Sequence, residues 1–166
     1  MVLNYPVGDL KQAGVLLSKT NPVFLFSDLM DTNFSGFVVL TIEGFSGIEE
    51  ALVFFREGNL VGSVYSYDRP DIAVFSKTAL DSSFNAFLAK HGVLDVIALS
   101  RQQIDLIFAL DERIGIPVGF QKSALQASLT GQFSEAFGQK ALNASPSESA
   151  SRHDLLKRLG LSELIR

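Results

Sequence analysis

The sequence predicts an α+β fold: an antiparallel β-meander extended by at least one further strand, with helices packed on one face. Three observations predict it. From Phe34 to Tyr67 the apolar residues recur with a period of two, in three runs separated by short turn sequences, as strands joined by hairpins do. Beyond Pro70 the period lengthens to that of a helix before a further β-branched run at residues 93–99. At 166 residues, 47 % apolar and 19 % charged, the chain holds material for one well-filled core.

The elements follow in order. Residues 7–18 mix apolar and polar side chains without a clean period and read as either a short strand or a helix. Thr20-Asn21-Pro22 opens a helix, because proline at the first helical position loses only an N–H that would be unpaired there anyway. Val23, Phe24, Phe26, Leu29 and Met30 continue it to Asp31-Thr32-Asn33. The β-branched and aromatic run 37–42 is a strand, and Gly44-Phe45-Ser46-Gly47 turns it. Residues 51–55 are apolar on both faces, which suits a strand at the centre of its sheet. Glu57-Gly58-Asn59 supplies the positive φ a tight hairpin requires. The third strand, 60–67, has Gly62 in its interior, marking a bulge or a close packing contact.

Asp68-Arg69-Pro70 closes the meander and a helix follows, with Leu80, Phe84, Phe87 and Leu88 on one face and Lys90-His91-Gly92 as its end. After the fourth strand, Ser100 and Gln103 form a capping box, and the helix it opens sends Ile104, Ile107, Phe108 and Ile114 to the core. Leu125, Leu129, Phe133 and Phe137 recur every four residues, an apolar stripe on a helix within 117–142. The domain therefore spans 1–142. Residues 143–151 (NASPSESAS) have linker composition. Residues 152–166 form a short C-terminal amphipathic helix with Leu155, Leu156 and Leu159 on its apolar side.

Composition excludes several chemistries. Without cysteine there is no disulfide, no thiolate catalysis and no cysteine-based metal site. A net charge of −4 gives no general attraction to nucleic acid. The longest uncharged stretch, 123–134, is rich in Ser, Gln and Thr, so no membrane span is expected. The first nine residues lack the basic and apolar regions of a signal peptide, and a cytoplasmic location is the expectation. His91 and His153 stand outside any metal-ligand spacing. Gly119-Phe-Gln-Lys122-Ser123 lacks the glycine before lysine that a phosphate loop needs. Asp28, Asp31 and Asn33 miss the alternation of a calcium loop. Glu49-Glu50 and Asp111-Glu112 read as solvated faces. No catalytic residue, metal or cofactor is expected, and the chain is expected not to be an enzyme.

Two features read as contact surfaces. One is the stripe Leu125, Leu129, Phe133, Phe137, and the other is the tail with Leu155, Leu156 and Leu159 beside Arg152, Lys157, Arg158 and Arg166. A basic amphipathic segment can touch a partner or, weakly, a membrane surface. Fourteen Phe with no Trp put large rings without polar handles into a core or an apolar interface.

Phe34-Ser35-Gly36-Phe37 leading into a strand, the hairpin from Phe54 to Ser63 through Gly58 and Gly62, and the run from Val93 to Ser100 resemble an uncharacterised archaeal family, domain of unknown function 2226. More distantly they resemble the PatA N-terminal-like domain of bacterial response regulators. The resemblance covers roughly residues 20–115, and Ser151 to Arg158 is similar to the archaeal family's C-terminal motif. Ser63 stands where the pattern has Ala. The resemblance implies an archaeal, cytoplasmic protein that acts through contacts and brings no catalytic residue with it. The expected function is a non-enzymatic interaction or scaffold module that forms a homodimer and binds a further protein. The alternative is a regulatory domain sensing a small molecule in a Phe-lined apolar pocket beneath Phe54, Tyr65 and Phe84.

Overall fold

A computed structural model describes residues 6–45, 47–68, 71–144 and 150–151. The open choice at the N-terminus resolves as a strand, β1 (Asp9–Leu16), followed by a 3-10 turn. Asn21 caps α1 (Pro22–Asp31), its side chain accepting from the Phe24 N–H at 3.1 Å. The meander is β2 (Gly36–Gly44), β3 (Gly47–Arg56) and β4 (Asn59–Tyr67). Glu57 and Gly58 both take positive φ at its second turn (50° and 76°), the geometry whose twist matches the flanking strands.

A strand absent from the sequence reading comes next: β5 (Ile72–Phe75) pairs with β4 before α2 (Ser76–Ala86) begins. Four residues show too little alternation to register as a strand, and Ser76 turns the chain at φ 58° with no glycine to mark it. The helix also stops sooner than expected. From Ala86 the chain tightens into i→i+3 bonds (Leu88 N–H to Asn85 C=O, Ala89 N–H to Ala86 C=O), leaving His91 exposed outside the helix. β6 (Val93–Ala98) follows, then α3 (Arg101–Leu110), whose capping box is formed as expected. The remaining elements are α4 (Leu125–Ser128), α5 (Glu135–Ala144) and a two-residue β7 (Ala150–Ser151) paired with β5.

Among the described residues seven strands form one antiparallel sheet in the order β1-β6-β2-β3-β4-β5-β7, with β3 at its centre. The α+β class and the extended meander stand. The helices, expected on one face, occupy both. Val38, Val53 and Tyr65 point to a core shared with Phe26 of α1, Leu80 and Phe84 of α2, and Phe87 just beyond it. Their neighbours along each strand, Phe37, Leu52, Phe54 and Val64, point the other way onto Ile104 and Ile107 of α3. Strands apolar on both faces demand a cover on each side.

The phenylalanines fill these cores. Phe26 meets Phe55, Phe84 and Phe87 with ring centroids at 5.7, 5.8 and 5.0 Å, and on the other face Phe54 meets Phe37 of the neighbouring strand and Phe108 of α3 at 5.6 and 6.0 Å. Phe24 of α1 is an exception, 72 % exposed.

Candidate functional site

The stripe expected on one helix is divided. Leu125 and Leu129 are buried in the core beside α1 and α2. The chain then leaves the helix, passes Gly131 at φ 116° and re-enters one at Glu135, because a left-handed glycine cannot continue a right-handed turn. Two hydrogen bonds between Asn85 and the Ser134 backbone, each 3.0 Å, fix the restart against α2. Phe133 and Phe137 are half-buried over the end of the sheet. Leu155, Leu156 and Leu159 lie outside the described residues, as does most of the expected linker; its Asn143 belongs to α5 and its Ser151 to β7.

Beneath Phe133 and Phe137 lies a polar cluster that corrects the reading of Glu49 as a solvated carboxylate. Adjacent strand residues point to opposite faces, so Glu50 turns outward while Glu49, 3 % exposed, enters the core. Its carboxylate accepts from the Tyr65 hydroxyl at 2.5 Å and from the Phe45 N–H at 3.1 Å. Burial holds the Glu49 carboxyl above the usual range, against the pull of these two bonds, and nearby Glu135 adds to the rise. Burial also pushes Tyr65 up, reinforced by the Glu49 charge, and takes Tyr67 up to about 12. The buried Tyr67 and Ser82 hydroxyls have no hydrogen-bond partner of good geometry, although Ser82 lies near enough to offset part of the rise at Tyr67. Phe45, Phe133, Phe137 and Gly138 close the cluster over about 190 Å³ of space, none of it wide enough for a water molecule. Only the burial of one member of an acidic pair marks this cluster, and a sequence does not state burial.

The Phe-lined pocket expected beneath Phe54, Tyr65 and Phe84 does not form as one site. Phe54 faces α3, whereas Tyr65 faces α2, on which Phe84 lies, and the sheet separates Phe54 from both.

The α3 side of the sheet carries a second feature. α3 runs over only the half of the sheet nearest the β3–β4 turn, where Arg101 and Asp105 on one flank pair with Glu57 and Arg56 at 3.4 and 2.9 Å. Helical periodicity places Gln103, Leu106 and Leu110 on the opposite flank, toward the uncovered half. Strand alternation and register place Leu10, Leu16, Val93, Thr41 and Ile48 on that same face. Leu10, Leu16, Ile48, Val93, Leu106 and Leu110 are 42–59 % exposed, and with Val7, Phe24 and Val118 they are the large apolar side chains found exposed among the described residues. Six of nine thus rim one face. β1 at the sheet's edge carries Lys11 and two register shifts, one beside Gly14 at φ 61°, features that blunt an edge against strand addition.

A family model described as an uncharacterized protein conserved in archaea, domain of unknown function 2226, matches residues 4–111, from β1 through α3. The chain belongs to this family. No curated protein and no solved structure matches it. The match covers the strands and helix that build the half-covered face and stops before α4 and α5. Among the described residues no group of three or more His, Asp or Glu is placed to hold a metal ion, and no helix is long and apolar enough to cross a membrane.

Proposed function

We propose that this domain is a non-enzymatic interaction module that self-associates through the half-covered sheet face. The observation that supports this is the gathering of Leu10, Leu16, Val93, Leu106 and Leu110 along the β1–β6 side of that face and the facing flank of α3. Large apolar side chains exposed together on one face are uncommon on a soluble monomer and support a contact site. A two-fold pair would set the leucines of one α3 against the Leu10–Val93 rim of the other copy. An isologous contact needs only such a self-complementary patch. The blunted edge of β1 favours face-to-face packing over strand addition.

This interface replaces the Leu125–Phe137 stripe, whose leucines already serve the core. The test is the variant Leu106→Lys/Leu110→Lys. Both side chains are exposed in the single chain, so the fold tolerates the change while a dimer buries two charges. Sedimentation should show the wild type as a dimer and the variant as a monomer with unchanged circular dichroism. A monomeric wild type, or a variant that remains dimeric, overturns the reading.

The alternative, a small-molecule sensor, draws its support from the unpaired Tyr67 and Ser82 hydroxyls beneath α5. A ligand there has to displace Phe133 and Phe137 first.

A further inference from the structure

We infer that the chamber beneath α5 is a binding site for the ammonium head of a small primary amine, held by Glu49, Tyr67 and Ser82. The inference rests on the sensor reading of this chamber and is independent of the self-association proposed for the opposite face of the sheet.

Hydrogen-bonding capacity carries it. Tyr67 and Ser82 are each 1 % exposed, and their hydroxyls are buried without a partner of good geometry. A native fold seldom leaves such groups unpaired. Both line the same chamber as the buried Glu49 carboxylate. A side chain at position 44 would overlap that carboxylate, so Gly44 is what admits it. Tyr65 and the Phe45 N–H already donate to it, but a carboxylate offers about four lone-pair sites and takes a further donor. A primary ammonium group has three N–H donors and no acceptor. One carboxylate and two hydroxyl oxygens supply a matching set of acceptors.

Charge and shape select the same class. Of the described residues lining the chamber, Glu49 and Glu135 are acidic and none is basic. A buried carboxylate without a counter-ion is costly, and a cationic ligand provides one. The walls are aromatic: the Tyr67 ring centroid lies 5.0 Å from that of Tyr65 and 6.0 Å from that of Phe45. Ring faces attract an organic cation, and their apolar bodies cover an alkyl stem. A calcium or magnesium ion needs about six or more oxygen ligands, and the Asn85 amide oxygen is already taken by the Ser134 N–H. The space of about 190 Å³ is below the ~300–1,000 Å³ of pockets for drug-sized ligands, which suits an amine of a few carbons. α5 is the lid. Gly138 rests on Phe45 and Tyr67, and the Asn85–Ser134 pair fixes the start of the helix, so the ligand enters when α5 lifts.

Binding is linked to pH. Burial holds the Glu49 carboxyl above its ordinary 4.5, favouring the neutral form in the closed chamber, whereas an ammonium ion favours the carboxylate. An alkylamine of the lysine type stays charged up to about pH 10. Affinity should therefore rise with pH from 4.5 through the folded-state value of Glu49 and then level. The other titratable groups facing Glu49 are Tyr65 and Tyr67 of β4, both held up by burial, and Glu135 of α5. From α2 come Ser82 and Asn85, which do not titrate.

The test is a chemical-shift titration of the full chain with butylamine and, as its uncharged counterpart, butanol, at constant ionic strength. Butylamine should bind about tenfold or more tightly than butanol, as a charged donor outbonds a neutral one. Its affinity should rise between about pH 4.5 and 7. Glu49→Gln should weaken it about tenfold and flatten that dependence, and Tyr67→Phe and Ser82→Ala should each weaken it roughly threefold. Each of these last two removes a single oxygen, so they carry the test even if Glu49→Gln alters the fold. Equal binding of amine and alcohol overturns the inference and leaves the sensor reading standing; no binding of either overturns both. Butylamine binding that all three variants leave unchanged lies elsewhere on the protein and overturns the inference as well.

Discussion

Gly62→Ala should loosen α3 from the sheet. Gly62 lies in β4 under the C-terminal end of α3, bridged to Gly115. A Cβ built there comes within 2.6 Å of the Phe108 ring, 2.8 Å of the Ile114 carbonyl oxygen and 2.9 Å of the Ile114 side chain. The carbonyl is backbone and moves only if the turn after α3 moves with it. The Phe108 ring can swing, at the expense of its edge-on contact with Phe54. Overfilling such a site costs ~1–3 kcal/mol, and the lost ring pairing a further ~0.5–1.5 kcal/mol. The alanine restores ~0.4–1 kcal/mol by restricting the unfolded chain. The net expectation is a loss of about 2 kcal/mol, read from urea unfolding as a lower midpoint at unchanged slope. Because the Phe108 ring makes the shortest of these three contacts, Gly62→Ala in a Phe108→Leu background should be milder by roughly 1 kcal/mol in a double-mutant cycle. A loss under ~0.5 kcal/mol, or strict additivity with Phe108→Leu, would refute the reasoning.

Two further outcomes test the buried carboxyl and the helix cap. A carboxyl whose folded pKa lies above its unfolded value of 4.5 stabilises the fold below that value and loses the contribution as pH rises through the folded pKa. Glu49→Gln should therefore gain on the wild type as pH rises from 4.5, by at most ~1.4 kcal/mol per pH unit, in urea melts across that range; a wild type that gains on the variant would contradict the burial argument. Ser100→Ala removes the acceptor of the Gln103 N–H (3.1 Å) and should destabilise by ~0.5–2 kcal/mol, with an unchanged unfolding midpoint as the contrary result.

How much of this was legible beforehand varies with the range of the interaction involved. The meander, its turns and the Ser100–Gln103 box were readable because each depends on residues within a few positions of one another. The strand after Pro70 was not, since Ile72–Phe75 is held by its pairing with β4 rather than by any pattern of its own. Local spacing placed Leu125, Leu129, Phe133 and Phe137 on one face but could not foresee that Gly131 divides their helix.

The candidate sites lie at the far end of that scale. The sequence by itself determined the class of fold, the run of strands, the family and the absence of cysteine chemistry, all of which follow from composition and short-range order. Only the tertiary structure decided that Glu49 is buried while Glu50 is not, that Phe54 and Tyr65 lie on opposite sides of the sheet, and that α3 leaves half a face uncovered. Alternation along a strand says that neighbouring side chains point apart, but not which side a helix will cover. That choice is made by crossovers joining residues far apart in the chain, such as the path from β6 through α3 to the Gly62–Gly115 bridge.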